Sequence, residues 1–170
     1  KAQQASIMIY NPETGLLETR ASYGLESEFA RHAKARVGQG IAGWVAQTQQ
    51  AVIVSDVSTD TRFLAQMDEK TKTETRSIVA VPVRFRENCL GVIELINCVG
   101  VEGFNDRDLA LLEALADFAA IALENARHVA KIQELTIKDD CTSLYNARHM
   151  NAILETEVYR SQRDGLECSL

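Results

Sequence analysis

The stretch that most constrains this chain runs from Asn105 to Lys138, N-D-R-D-L-A-L-L-E-A-L-A-D-F-A-A-I-A-L-E-N-A-R-H-V-A-K-I-Q-E-L-T-I-K. It holds no Gly and no Pro, and Ala, Leu and Glu dominate it, so the α-helix is the cheapest conformation at most positions. Asn105 is placed to cap the first free amides, with Asp108 three residues on as the acid of a capping box. Acids in the first turn also suit the positive end of the helix dipole. At 1.5 Å rise per residue the predicted helix is a rod of roughly 50 Å, longer than a small domain needs.

From Leu109 to Leu123 only Glu113 and Asp117 are polar, and with Asp106 and Glu124 they form one narrow stripe. A surface helix ordinarily buries a stripe about 100° wide, whereas here most of the circumference asks to be covered. One side can close a domain core. The other carries Leu112, Leu115, Ala119, Ala122, Ala126 and Val129, spaced 3-4-3-4-3 as in a coiled-coil seam. A homodimer through residues 105–138 is therefore expected, with a wholly buried helix in a monomer as the alternative. A membrane span is excluded, because fifteen residues carrying two acids are too short and too costly.

A chain of 170 residues has room for one full domain and a smaller piece. Its 46% hydrophobic and 25% charged content is that of a water-soluble fold. The net charge of −6, with no basic run to neutralise phosphates, argues against nucleic acid as a partner. The four cysteines, Cys89, Cys98, Cys141 and Cys168, show no C-x-x-C, and the three histidines lie far apart. Reduced thiols in the cytoplasm are expected, with neither a metal site nor a disulfide framework. The chain opens at Lys1 rather than Met, which leaves room for an upstream segment.

Ahead of the helix, Ala5–Tyr10 and Leu16–Tyr23 flank the turn Asn11-Pro-Glu-Thr-Gly15, a hairpin signature. The first strand is apolar on both faces, as in a sheet covered on both sides. Ser27–Val37 is predicted as a short amphipathic helix with Phe29 and Ala33 inward. Gly38, Gly40 and Gly43 have the spacing of a dinucleotide fingerprint, but no strand precedes them. Gly40 is expected to open a short helix instead, Gly43 to allow close packing, and Trp44 to supply an aromatic wall. Ala51–Ser55 reads as a strand and residues 64–75 as a polar lid over the sheet. Arg76–Phe85 and Cys89–Asn97 read as strands around the turn Arg86-Glu-Asn88, with Pro82 implying an edge or a bulge. Glu94 stands alone in an apolar strand, either as a functional acid or as a charge at a sheet rim. Beyond the long helix, Asp139–Ser143 breaks the pattern, Asn146–Arg163 is a second helix, and Gly165–Leu170 begins a strand.

Trp44, Asp56, Asp60, Arg62, Phe63, Ser77 and Glu94 combine an aromatic wall with a few polar groups, the mixture of a small-molecule site. Each also has an ordinary reading. Trp44 and Phe63 suit a core, Asp56 and Asp60 suit turns or caps, and Arg62 suits a solvated surface.

The motifs A-S-I-M-I-Y-N-P-E-T-G, G-Q-G-I-A-G-W-V-A, V-I-V-S-D-V-S-T-D-T-R-F, S-I-V-A-V-P-V and L-G-V-I-E-L-I-N, followed by F-N-D-R-D-L-A-L-L-E-A-L-A, resemble in their order a GAF domain, over residues 1–126. The resemblance implies an α+β fold of GAF-like (PAS-like) type. Its antiparallel sheet of about six strands has helices on both faces and a small-molecule pocket on one of them. The family's usual helix before the first strand has no counterpart here. Residues 127–138 would be the linker end of a signalling helix.

Residues 139–170 resemble the opening of a GGDEF domain, the diguanylate cyclase family. Asp139, Thr142, Leu144, Asn146 and Arg148 match its D-x-L-T-G-L-x-N-R-R start, while Cys141, Ser143 and Ala147 depart from it. That family's metal-binding aspartates and GGDEF loop lie further on, so no catalytic residue is expected in this chain. Mg²⁺ and GTP would concern only a complete GGDEF domain, and the sequence itself requires no cofactor. The resemblance thus implies a regulatory sensor and dimerisation domain with an unknown small-molecule ligand, controlling cyclic-di-GMP synthesis in a bacterial signalling protein. Cyclic-nucleotide-binding members carry an N-K-(x)n-F-x-x-x-D-E signature. Asn97, Phe104 and Asp108 match it, but Cys98 and Leu109 replace its Lys and Glu. The chain also admits reading as a pure interaction module without ligand, or as a thiol-based reductase. The reductase is disfavoured because Cys89 and Cys98 fall on or beside an apolar strand, where cysteine behaves as a small hydrophobe.

Overall fold

A computed structural model describes residues 2–24, 32–64, 74–100, 102–139, 142, 144–165 and 167. The chain divides into two compact units, Lys1–Ala122 and Leu123–Leu170. The first is built on a six-stranded sheet of β1 (Ala2–Asn11), β2 (Leu16–Tyr23), β3 (Lys34–Arg36), β4 (Val52–Val54), β5 (Ile78–Phe85) and β6 (Asn88–Cys98). The spatial order is β3-β2-β1-β6-β5-β4, and each pairing is antiparallel. The hairpin β1–β2 closes as expected through Asn11–Gly15, where the Gly15 amide donates to the Asn11 carbonyl at 2.9 Å.

Two helices flank this sheet in sequence, α1 (Gly40–Thr48) and α2 (Asp106–Ile137). Ile41, Ala42, Val45 and Ala46 of α1 are buried in one cluster with Met8, Val54, Ile78, Ala80 and Val92. Because strand side chains alternate, Val79, Val81 and Val83 point the other way, and all three are fully buried. The helix α2 has a buried stripe of its own, Leu112, Ala116 and Ala120. Asn105 and Asp108 form the predicted capping box: Asn105 Oδ1 accepts from the Asp108 amide at 3.2 Å, and Asp108 Oδ2 accepts from the Asn105 amide at 3.2 Å.

Three expectations need correction. Lys34–Arg36 is a strand rather than the end of a helix over Ser27–Val37, because β2 pairs with it and Lys34 reaches Glu18 across the pair at 2.9 Å. Residues 25–31 of that predicted helix, and residues 65–73 of the predicted lid, lie outside the described residues. Part of the expected seam is also covered within the protomer. Leu112 is only 4% exposed and Ala119 is half-buried, so these two belong to the protomer's own core side of α2. Leu115, Ala122, Ala126 and Val129 are exposed, and beside them so are Leu111, Phe118 and Ile121. Finally, Gly165 is a left-handed cap of the last helix at φ 66° rather than the start of a strand, and residues 166 and 168–170 lie outside the described residues. Pro82 behaves as expected: β4 pairs with β5 only up to Ala80, so Pro82 is locally on an edge, and a register shift follows at Val83/Arg84.

The second unit contains the carboxyl-terminal turns of α2 and the helix α3 (Ala147–Asp164). The segment between them is tied by a bridge between Lys138 and Tyr145. Asn146 caps α3 by accepting from the His149 amide at 3.0 Å, and its amide nitrogen donates to the Thr136 carbonyl at 2.6 Å. Asp139 Oδ1 accepts from both the amide and the hydroxyl of Thr142. Met150, Ile153 and Val158 of α3 are exposed.

Candidate functional site

The α1 side of the sheet is where polar groups enter an otherwise apolar surface. Along β6 the residues on this side are Val92, Glu94 and Ile96. Glu94 stands opposite Ser6 on β1 and Ala80 on β5. Both neighbours have small side chains. Ser6 Oγ donates to Glu94 Oε2 at 3.3 Å, which favours the ionised form only weakly. Burial dominates and pushes the Glu94 carboxyl up to about 7. Among the described residues no cation meets it.

Trp44, Asp60, Arg62 and Phe63 come together at one edge of this side. Trp44 lies on α1 because Gly40 opens the helix at φ 72°. Gly43 then packs where a Cβ would strike the Arg36 carbonyl. The Arg62 guanidinium sits over the Trp44 ring, 4.3 Å from its centroid. The same guanidinium donates to both oxygens of Asp60, at 2.9 and 2.6 Å. That pairing holds the Asp60 carboxyl below the usual range and raises Arg62. The Phe63 amide donates to the Asp60 carbonyl at 3.0 Å, and Phe63 and Trp44 pack on the same core cluster.

Asp56 and Ser77 do not join this group. Asp56 is an exposed cap of a 3-10 turn at Val57–Thr59. Its Oδ1 accepts from the hydroxyl and the amide of Ser58, and these bonds lower its pKa. Ser77 corrects the expectation more sharply. By alternation it lies on the side of Val79 and Val81, away from Glu94, and its buried hydroxyl accepts from the Cys98 amide at 3.2 Å. Beside it, buried Asn97 at φ 56° accepts from the Arg76 amide and donates to the Glu74 carbonyl, each at 2.7 Å.

Asn97, Phe104 and Asp108, the matching positions of the cyclic-nucleotide signature, thus have structural roles as a strand tie, a buried ring and a cap. Ser6 was not legible as a site residue, since a short polar side chain in a strand carries no signal until its partner strand is known. Cys89 is half-buried and its thiol is pushed up by burial, which suppresses the thiolate that redox chemistry needs. Among the described residues no group of three His, Cys, Asp or Glu side chains could hold a metal ion. None of the described helices is long and apolar enough to cross a membrane.

The sequence model for the GAF domain matches residues 1–123. The cGMP-specific 3',5'-cyclic phosphodiesterase of Drosophila melanogaster is 28% identical over 138 residues, which is 77% of this chain. The matched part is 12% of that protein's length. Among solved structures, the GAF domain of a phosphoenolpyruvate-protein phosphotransferase from Coxiella burnetii superposes with a TM-score of 0.69 at 18% identity, covering 76% of each chain. A GAF domain/HD domain protein from Geobacter sulfurreducens gives 0.63 at 15% identity, over 75% of this chain and 83% of that one. These structural likenesses speak for the fold.

Proposed function

The chain belongs to the GAF-domain family, and from that premise we propose that it is the small-molecule sensor and dimerisation domain of a bacterial signalling protein with a diguanylate cyclase output. The observation that carries this reading is the continuity of α2. One uninterrupted helix supplies the buried stripe Leu112, Ala116 and Ala120 and an exposed apolar stripe from Leu111 through Phe118. It then runs on to Ile137, one residue short of the D-D-C-T-S-L-Y-N motif that starts at Asp139. A ligand on the α1 side shifts the output only by binding one arrangement of the dimer better than another. Two copies of a cyclase-type catalytic domain must meet face to face, so the geometry of a paired helix can gate them.

The gene product that carries this chain is expected to make cyclic-di-GMP from GTP and to lose regulation when Phe118→Glu disrupts the helix pair. A product without any cyclase activity contradicts the output assignment. Sedimentation equilibrium at micromolar concentration tests dimerisation independently, and a monomer throughout contradicts it. A cyclic nucleotide is the second reading for the ligand, favoured by the similarity to cGMP-specific phosphodiesterases. Mass spectrometry of small molecules released from the purified protein separates the possibilities: a cyclic nucleotide, another compound, or nothing, as in a pure interaction module.

A further inference from the structure

On the α1 side, β1 brings a second polar group beside Glu94. Gln4 and Ser6 are two residues apart and share a face, with Gln4 opposite Ile96 and Ser6 opposite Glu94. Gln4 Oε1 is buried and accepts no hydrogen bond. An orphaned buried acceptor destabilises a fold, and a bound donor would relieve it. The Glu94 carboxylate also lacks strong donors, since its bond from Ser6 is long, at 3.3 Å. Three oxygen acceptors of three kinds therefore occupy adjacent positions of two neighbouring strands, within reach of one bound group.

We infer that this side of the sheet takes a ligand with a cationic donor head, a primary ammonium on an apolar body, held by Glu94, Ser6 and Gln4. The inference rests on the sensor reading above and names the ligand's chemical class. A primary ammonium offers three donors and no acceptor, which matches the set in number and polarity. Its charge compensates a carboxylate that no described cation meets. Arg62 is committed to Asp60, α1 carries no ionisable side chain, and β5 presents Ala80. A hard metal ion fits less well, because a single carboxylate supplies too little charge and too few ligands. The neighbouring Trp44, Phe63 and Ile96, all packed on the same cluster, suit the body of an organic cation.

Isothermal titration calorimetry on the whole chain with benzylammonium, benzyl alcohol and benzoate tests the assignment. Benzylammonium is expected to bind, and Glu94→Gln to weaken it at least about tenfold. The dissociation constant should also weaken several-fold between about pH 8 and about pH 6, because the ammonium must displace a proton from Glu94. Gln4→Leu keeps the side chain's bulk and removes the orphaned acceptor. It should weaken the amine several-fold while raising the melting temperature of the free protein. Unchanged amine affinity in Glu94→Gln overturns the inference, as does tighter binding of the alcohol or the benzoate. Both of those leave the sensor reading standing, since a ligand still occupies the site. Silence from all three compounds overturns the inference too, and the sensor reading is then judged by the molecules released from the purified protein.

Discussion

On the α2 side of the sheet, Val79, Val81 and Val83 project without interruption and are sealed from water. On the α1 side the same strand β5 and its neighbour β6 place Ala80 and Glu94 side by side, with Ser6 and Gln4 next to them. The strands are shared, so neither pairing nor propensity separates the two sides. What separates them is what each asks of its covering helix. A surface of valines asks only for apolar cover, which a stripe such as Leu112, Ala116 and Ala120 can give. A surface holding a carboxylate and an unpaired amide oxygen cannot be satisfied by α1, which has no charged side chain to offer. One side is closed, and on the proposed sensor reading the other is the side that receives a ligand.

The closed side should break most expensively. Leu112→Ala removes the largest side chain of its stripe and is expected to cost about 3 kcal/mol in urea denaturation. A cost below about 1 kcal/mol would show that α2 does not seal the sheet. Asn97→Ala, which unties the Arg76 amide and the Glu74 carbonyl, should cost about 2 kcal/mol.

The open side should announce itself through pH. Glu94 has a folded-state pKa raised from 4.5 to about 7, so the folded state holds its proton over a range where the unfolded chain has released it. The native state is unpenalised below 4.5, loses stability as pH rises toward about 7, and carries a constant penalty above that. Relative to Glu94→Gln, the wild-type protein should therefore lose about 3 kcal/mol across that window. Parallel pH profiles for the two proteins would show that no buried acid separates the two sides. Phe118→Ser sharpens the comparison from outside. It should change monomer stability by less than about 0.5 kcal/mol, as exposed positions do, while shifting sedimentation toward monomer. Smallest of all, Arg62→Ala should cost about 1 kcal/mol or less, because its pair with Asp60 is partly solvated.

The parts of this fold that sequence made legible are those decided locally. The capping box of Asn105 and Asp108, the turn at Asn11–Gly15 and the helix opening at Gly40 each rest on neighbours a few residues apart. β3 was hidden because three residues become a strand only when β2 lies beside them. Ser77 looked like a pocket residue because composition does not tell which side of a sheet a residue before a strand will take. The burial of Leu112, expected at the seam, was hidden for a related reason: with Leu111 and Leu112 adjacent on a helix apolar around most of its circumference, only tertiary packing decides which one is buried. Glu94 was visible as a lone acid among β-branched residues. Its partner Ser6 and the nearby Gln4 were not, since they come beside it only through a strand pairing some ninety residues apart in the chain.

The asymmetry between the two sides can be measured directly by recording amide NMR shifts while the protein is titrated with a library of small soluble compounds. Ligand-induced shifts are expected to gather on the α1 side, at Ser6, Trp44, Phe63, Ala80 and Glu94, and to spare Val81, Leu112 and Ala116. Shifts centred on the α2 side, or none at Ser6 and Glu94 with any compound, would contradict a sheet with one closed and one receptive side.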